Sequence, residues 1–276
     1  MTKDYTIHRY IDKITLVVMP KPYHTPVDDI SPRPMTDKCI ILDLDETLVH
    51  TQEEMTELHK LKILSDPKLL ALRKRTYLLR LEDLEKPGYG TSYDLWGVVR
   101  PHVPEFLLFC FSYFKVVAVW SAGARPYVDA VVDHLFKDLP RPHVVFTRDD
   151  VLFDKNKQVE KPLQKMMEYH PILREHMSHA NTFVLDDNHG TFVYNPKNGV
   201  HIPRYEPEAT VHALMKDDDT VLKFRDWLLQ PDIMQAVDVT TLPKHDIFYK
   251  YPPGISIPQN IGSNLDSYVI YPPDTL

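Results

Sequence analysis

Cysteine is almost absent: Cys39 and Cys110 are the only two in 276 residues. A disulfide framework is excluded, and the chain fits a reducing compartment, nuclear or cytoplasmic. A thiolate phosphatase is excluded too, because neither cysteine has an arginine six residues on, where a phosphate loop would close. Glycine is scarce, 8 residues against 24 prolines, so the connections are stiff and extended rather than flexible. No G-x-x-x-x-G-K-[ST] loop is present, which removes P-loop nucleotide enzymes. With no H-E-x-x-H and no cysteine cluster, histidines such as His176, His179 and His189 read as surface or capping residues rather than zinc ligands. No apolar run approaches the roughly 18 residues of a membrane span. The first residues, with Asp4, His8, Arg9 and Asp12, lack the apolar core of a signal peptide. Positive charge is in deficit, 32 basic against 39 acidic residues for a net −7, which argues against direct nucleic-acid binding.

What is present is an ordinary globular composition, 43% hydrophobic and 26% charged. Four short apolar runs, Cys39–Leu42, Val116–Trp120, Val144–Phe146 and Thr182–Leu185, show no in/out alternation. That suits strands buried on both faces of a parallel sheet. Helical stretches lie between them. Pro126–Phe136 is the clearest, with Val128, Val131, Val132 and Leu135 on one face and Pro126 at a permitted first-turn position. Pro104–Phe111 is another, and Leu163, Met166, Met167, His170 and then Val221, Phe224, Arg225, Leu228 repeat the spacing. The alternation predicts an α/β fold, an open Rossmann-like parallel sheet with its site at the carboxyl ends of the strands. Three regions are expected: a Pro-rich arm over 1–37 with a strand candidate at Ile14–Met19, a body over 38–230, and a Pro-containing tail over 231–276. Residues 51–100 break the rhythm after the first strand, as an insertion too long for an ordinary connection. It reads as helix within Glu53–Lys74, broken near Pro67, then a hairpin with arms Thr76–Leu81 and Tyr93–Val99.

Asp43-Leu44-Asp45-Glu46-Thr47 follows the first apolar run directly. Two carboxylates spaced i and i+2 at a strand end both face one pocket if the chain turns there, and packed together they need a cation or a shared proton. They suit a division of labour, Asp43 as nucleophile or metal ligand and Asp45 as acid/base. Taken alone, the short pattern fits a turn with a solvated acidic cap better. Ser121 closes the second run, either donating to a phosphoryl oxygen or capping the next helix. Lys161 precedes a helical segment, as an anion partner or a surface lysine. Asp186-Asp187-Asn188 ends the fourth run and offers hard oxygen ligands of the kind Mg²⁺ takes. One sheet edge would gather a nucleophile, a hydroxyl, a lysine and an acidic pair.

DLDETLVH at 43–50 resembles the signature of haloacid-dehalogenase superfamily phosphatases, and more closely the Fcp/Scp-type branch, the NLI-interacting-factor-like or CTD-type serine phosphatases. The similarity continues through Arg100-Pro101-His102, VWSAGARPYVDAVVDHL at 119–135, Phe146-Thr147-Arg148-Asp149-Asp150, Lys161-Pro162-Leu163, VLDDN at 184–188 and Asn198–Ile202. It departs at Ser121, where the family usually carries Thr, at Pro162 in place of an Asp, and at Asp187-Asn188-His189 in place of Asp-Asn-Ser-Pro.

The resemblance implies a Mg²⁺-dependent phosphoserine/phosphothreonine protein phosphatase working through an aspartyl-phosphate. Its substrate would be a phosphorylated protein, the RNA polymerase II C-terminal repeat or a similar Pro-containing phosphopeptide. It implies Asp43 as nucleophile and Asp45 as acid/base, with Thr47 steadying the loop. Ser121 and Lys161 would sit on the phosphoryl oxygens, and Asp43, the Asp45 carbonyl and Asp187 on the metal. Asp186 and Asn188 would support them. A scaffold protein on the same fold and a phosphatase for small molecules or nucleic-acid ends are the alternatives. The insertion is read as a lid or as the wall of a peptide groove, with Tyr77, Tyr93 and Trp96 offering flat apolar surface to a substrate proline.

Overall fold

The computed structural model describes residues 34–82 and 92–248. The expected strand Ile14–Met19, the hairpin loop around Pro87–Gly90 and the prolines beyond 250 lie outside these residues. All four apolar runs are strands: β1 (Cys39–Leu42), β5 (Val116–Trp120), β6 (Val144–Phe146) and β9 (Thr182–Asp186). A fifth, β10 (Gly199–His201), completes a parallel sheet of order β10-β9-β1-β5-β6, and β7 (Leu152–Phe153) and β8 (Val159–Glu160) form a separate antiparallel pair. The runs lack alternation because both faces are covered. Ile40, Leu42, Val117, Val119, Phe183 and Leu185 point into one core. Their neighbours Cys39, Ile41, Val116, Ala118, Trp120 and Val184 point into a second. On the first face lie α3 (Val103–Tyr113), α4 (Arg125–Leu135) and α8 (Thr220–Leu228). On the second lie the short α5 (Leu163–Tyr169) and α6 (Pro171–His176). Each large apolar side chain taken fully from water contributes about 1.5–3 kcal/mol, which is why no cross-link is needed.

Register does the positioning. Leu42 pairs with Val119 on one side and Leu185 on the other. The residues that follow these three therefore emerge together at one edge: Asp43, then Ser121, then Asp186 and Asp187.

The insertion is more than a hairpin. β3 (Thr76–Glu82) and β4 (Ser92–Val99) pair as expected, and β2 (Val49–Gln52) adds a third antiparallel strand in the order β2-β4-β3. Two helices, α1 (Met55–Leu61) and α2 (Leu70–Arg75), flank a short 3-10 turn at Pro67–Leu69, where the sequence predicted a break. The sheet obeys a period of two. Leu78, Trp96 and Val98 face the insertion's own core with Leu58, Leu72 and Tyr205, and Tyr77, Leu79 and Leu81 face the main body.

Two expectations are corrected. The packed body does not stop at 230: Ile233, Val239, Ile247 and Phe248 are buried in the main core, and Lys38 Nζ donates to the Met234 carbonyl at 2.7 Å. These apolar residues lack a helical period, so the pattern hid them, yet they bury as effectively as periodic ones. Tyr77 and Trp96 do not face a groove. Both are buried, Trp96 with its indole N–H on the Glu54 carbonyl at 3.1 Å and Tyr77 with its ring centroid 5.0 Å from that of His134. A sheet with two covered faces leaves no wall for its large aromatics, and of the three only Tyr93 stays exposed.

Candidate active site

Glu46 explains how Asp43 and Asp45 come to share a pocket. Its φ of 56° turns the chain through the left-handed region, and the Leu44 carbonyl collects the amides of Thr47, Leu48 and Val49 at 2.8–3.2 Å. Arg100, completely buried, braces this turn. It donates to the Thr47 carbonyl at 3.0 Å and grips both Asp218 oxygens at 3.1 Å, while the Tyr205 amide holds the Glu46 carbonyl at 2.7 Å.

Lys161 is no surface lysine: it is 2% exposed, and its Nζ lies 2.6 Å from Asp43 Oδ1 and 2.6 Å from Asp186 Oδ2. Burial pulls an ammonium toward the neutral form, but the charges of Asp186 and Asp43 override it and hold the Lys161 pKa up. The opposite pull operates on Asp43, whose carboxyl burial lifts well above its ordinary range even with Lys161 opposing. Asp187 is raised by its own desolvation and by the neighbouring Asp186, with Arg204 opposing. Asp45 is raised chiefly by burial, and the hydrogen bonds from Tyr127 and Ser121 pull it back.

Asp43, Asp186 and Asp187 each present an oxygen, all within 4.8 Å of one another. Lys161 bridges two of these carboxylates and the exposed Arg204 lies 3.7 Å from the third, so among the described residues the only buried cation at the cluster is a single ammonium against three acids. Hard oxygen donors at this spacing suit an added Mg²⁺, which fits the residues present. The cluster opens into a cavity of about 420 Å³ whose rim includes Glu46, Gln158, His189 and Arg204.

Thr47 ties the two strand ends together: its hydroxyl donates to Asp187 Oδ1 at 3.4 Å and accepts the Asp187 amide at 3.1 Å. Asn188 accepts the Gly190 amide at 2.9 Å, and its own amide donates to Asp186 Oδ1 at 2.8 Å. Ser121 is fully buried. It accepts the Gly123 amide at 2.9 Å and donates to Asp45 Oδ2 at 3.1 Å, so it caps a turn and grips Asp45 together. It does not cap the following helix, whose N-cap is Ala124.

The structure thus brings Asp43, Asp45, Thr47, Ser121, Lys161, Asp186, Asp187 and Asn188 into one place and leaves Tyr77 and Trp96 outside it. Sequence reasoning missed Tyr127, whose phenol donates to Asp45 Oδ1, and Arg204, which lies 3.6 Å from Glu46 and 3.7 Å from Asp187. Tyr127 was legible only as a polar-tipped aromatic in the first turn of α4, six residues after Ser121. Arg204 carried no signal, because it sits in a loop beyond the last strand.

The chain is similar to a set of known proteins. The NLI interacting factor-like phosphatase family matches residues 38–238. Ubiquitin-like domain-containing CTD phosphatase 1 of Danio rerio is 24% identical over 225 residues, covering 73% of this chain and 65% of the relative. Phosphatase PSR1 of Saccharomyces cerevisiae is 25% identical, covering 74% and 40% respectively. Human CTD small phosphatase-like protein is 23% identical, covering 64% and 52%. The chain therefore spans 40–65% of the length of these relatives. The solved structure of Fcp1, an essential RNA polymerase II CTD phosphatase, aligns with 75% of this chain and 58% of its own at 18% identity and a TM-score of 0.48.

Proposed function

The chain belongs to the NLI interacting factor-like phosphatases, and from that premise we propose that it hydrolyses phosphoserine or phosphothreonine in proteins through an aspartyl-phosphate on Asp43. The substrate is a Pro-containing phosphopeptide of the kind the CTD phosphatases it resembles are named for. The observation that carries the reading is the buried Lys161 bridging Asp43 and Asp186, with Asp45 gripped two residues from Asp43.

Asp43 attacks phosphorus, and the P–O bond to the serine or threonine oxygen breaks. Asp45 gives that oxygen a proton as it leaves. In the second step Asp45 takes a proton from water, whose oxygen attacks phosphorus and releases phosphate and the Asp43 carboxylate. Lys161, already on Asp43, faces the equatorial phosphoryl oxygens, where charge must be neutralised. Ser121 keeps Asp45 in place through its hydroxyl. Asp43, Asp187 and the Asp45 carbonyl are the groups that would hold Mg²⁺, which supplies the positive charge the three carboxylates lack. Thr47, Asp186 and Asn188 fix those ligands, and Arg100 holds the loop that carries them.

The test is turnover of a phosphopeptide panel with Mg²⁺, set against nucleotides and sugar phosphates, by wild type and Asp43→Asn. Wild type should prefer phosphopeptides, and Asp43→Asn should fold normally with less than about a tenth of the activity, since a nucleophile is lost with almost no change in volume. Preference for a small metabolite, or an active Asp43→Asn, would refute the reading.

A further inference from the structure

Asp45 is held from two sides. Ser121 comes from the strand end beside it, whereas Tyr127 belongs to a longer arrangement. Thr51 Oγ1 lies 2.6 Å from the Tyr127 hydroxyl and 2.6 Å from the Tyr77 hydroxyl. Each of these oxygens carries a single proton. Because Tyr127 spends its proton on Asp45 Oδ1, its oxygen accepts from Thr51, and the Thr51 oxygen accepts from Tyr77. Four groups thus form one directed row that starts in the insertion and ends on the carboxylate.

The insertion sheet is built for this row. Thr51 and Tyr77 are the cross-strand partners of Gly97 on either side. A Cβ on Gly97 would stand 2.3 Å from Tyr77 Cζ and 2.4 Å from its hydroxyl. Only glycine lets the Tyr77 ring lie across β4 and reach Thr51. At its far end the row stops at Tyr77, which is fully buried with its ring 5.0 Å from that of His134. What it transmits is orientation.

We propose that the Tyr77–Thr51–Tyr127 hydroxyl row is a positioning device through which the inserted three-stranded sheet fixes the carboxylate of Asp45 for proton transfer to the leaving group. Tyr127 and Thr51 are positioning residues; neither touches the reacting atoms. The inference rests on the assignment of Asp45 above, and it gives the insertion a buried part in the chemistry in place of the expected aromatic groove. A carboxylate held by Ser121 alone keeps one oxygen fixed and swings about it, and small misplacements of a catalytic group cost rate steeply.

The experiment compares kcat/KM for phenyl phosphate, whose leaving oxygen needs a proton, with that for 2,4-dinitrophenyl phosphate, which departs as an anion. With Mg²⁺ present, Tyr127→Phe should lower the phenyl phosphate value about tenfold or more and the dinitrophenyl value by less than about threefold, within the 100- to 10,000-fold that a general acid supplies. Thr51→Val should shift both in the same direction by less, and Thr51→Ser, which keeps the hydroxyl, should restore wild-type behaviour. Equal losses on both substrates, or Thr51→Ser as impaired as Thr51→Val, would overturn the proposal. Thermal melts of each variant accompany the kinetics; if Tyr127→Phe does not fold, the Thr51 pair decides by the same criteria. Asp45→Asn separates the two levels of argument. If it leaves phenyl phosphate turnover intact, the acid/base assignment fails and takes the row with it. If it abolishes turnover while Tyr127→Phe changes neither substrate, the row alone is refuted.

Discussion

Lys161→Met tests the electrostatic core of the site. The substitution keeps an unbranched side chain of similar length and removes an ammonium 2.6 Å from each of two carboxylates, in a place where Lys161 is 2% exposed. Breaking a buried ion pair by deleting one partner costs about 3–5 kcal/mol, because the remaining charge stays desolvated. In a body of this size that lowers Tm by roughly 6–20 °C. Lys223→Met is the control: it removes a surface i, i+4 partner of Asp219 at 2.9 Å, worth about 0–1 kcal/mol. The pH dependence sharpens the prediction. Burial raises the Asp43 carboxyl even beside Lys161, and without the lysine it rises further. A carboxyl raised in the folded state is no burden below about pH 4, where the unfolded chain is protonated too, and destabilises the fold as pH climbs through the raised value. The deficit of Lys161→Met should therefore be small near pH 4 and reach its full size toward neutral pH. Calorimetry across that range in EDTA, which keeps divalent cations from masking the loss, measures it. Adding Asp186→Asn to Lys161→Met should recover part of the stability by removing an orphaned charge. A deficit no larger than that of Lys223→Met, or one that does not change with pH, would refute the account of a buried charge cluster.

Gly97→Ala should cost about 1–3 kcal/mol by overpacking, since its Cβ would meet Tyr77 at 2.3 Å; a melt unchanged within about 0.5 kcal/mol would contradict the close approach. Arg100→Met should cost about 2–3 kcal/mol at neutral pH, below the figure for a fully buried pair because Asp218 is 24% exposed. Burial pushes Asp218 up, but the Arg100 hydrogen bonds and charge outweigh it and hold the carboxyl below its ordinary range. That contribution is present above about pH 4 and lost as pH falls through the lowered value, so the gap between Arg100→Met and wild type should close in acid. Mg²⁺ should raise the Tm of wild type, by the equivalent of about 2.7 kcal/mol at a hundred times its Kd, and should not raise that of Asp187→Ala. Equal shifts in the two proteins would place the cation elsewhere.

The fold was largely written in local pattern. Strands covered on both faces must be apolar at every position, so Cys39–Leu42, Val116–Trp120, Val144–Phe146 and Thr182–Leu185 stood out without any knowledge of their partners. β10 did not, since Gly199-Val200-His201 offers one buried side chain, Val200, on a short edge strand. β2 was hidden for a different reason. Val49–Gln52 follows the acidic loop at once, and its half-buried, polar second half, Thr51 and Gln52, looks like a connection. The C-terminal stretch to Phe248 has no period at all, and its burial depends on where the earlier elements left room.

The site divides along the same line. Asp43, Asp45, Ser121 and the Asp186-Asp187 pair were readable because parallel strands must present their carboxyl ends together. Lys161 follows Val159–Glu160, a short antiparallel strand outside that sheet, so strand geometry did not single it out and only the family resemblance did. By itself, then, the sequence determined four of the five parallel strands, the edge that carries the chemistry and the acids gathered there. Only the tertiary structure decided that Lys161 is buried between two carboxylates, that Arg100 braces the turn from Asp218, and that Tyr77 and Trp96 face cores instead of a groove. It alone joined Tyr77, Thr51 and Tyr127 to Asp45 across 82 residues of sequence. A covalent chain specifies which side chains are available and which way alternate ones point, but contacts between residues so distant depend on sheet register, on the packing of α4 against β3, and on the single missing side chain at Gly97 that lets two strands' hydroxyls meet.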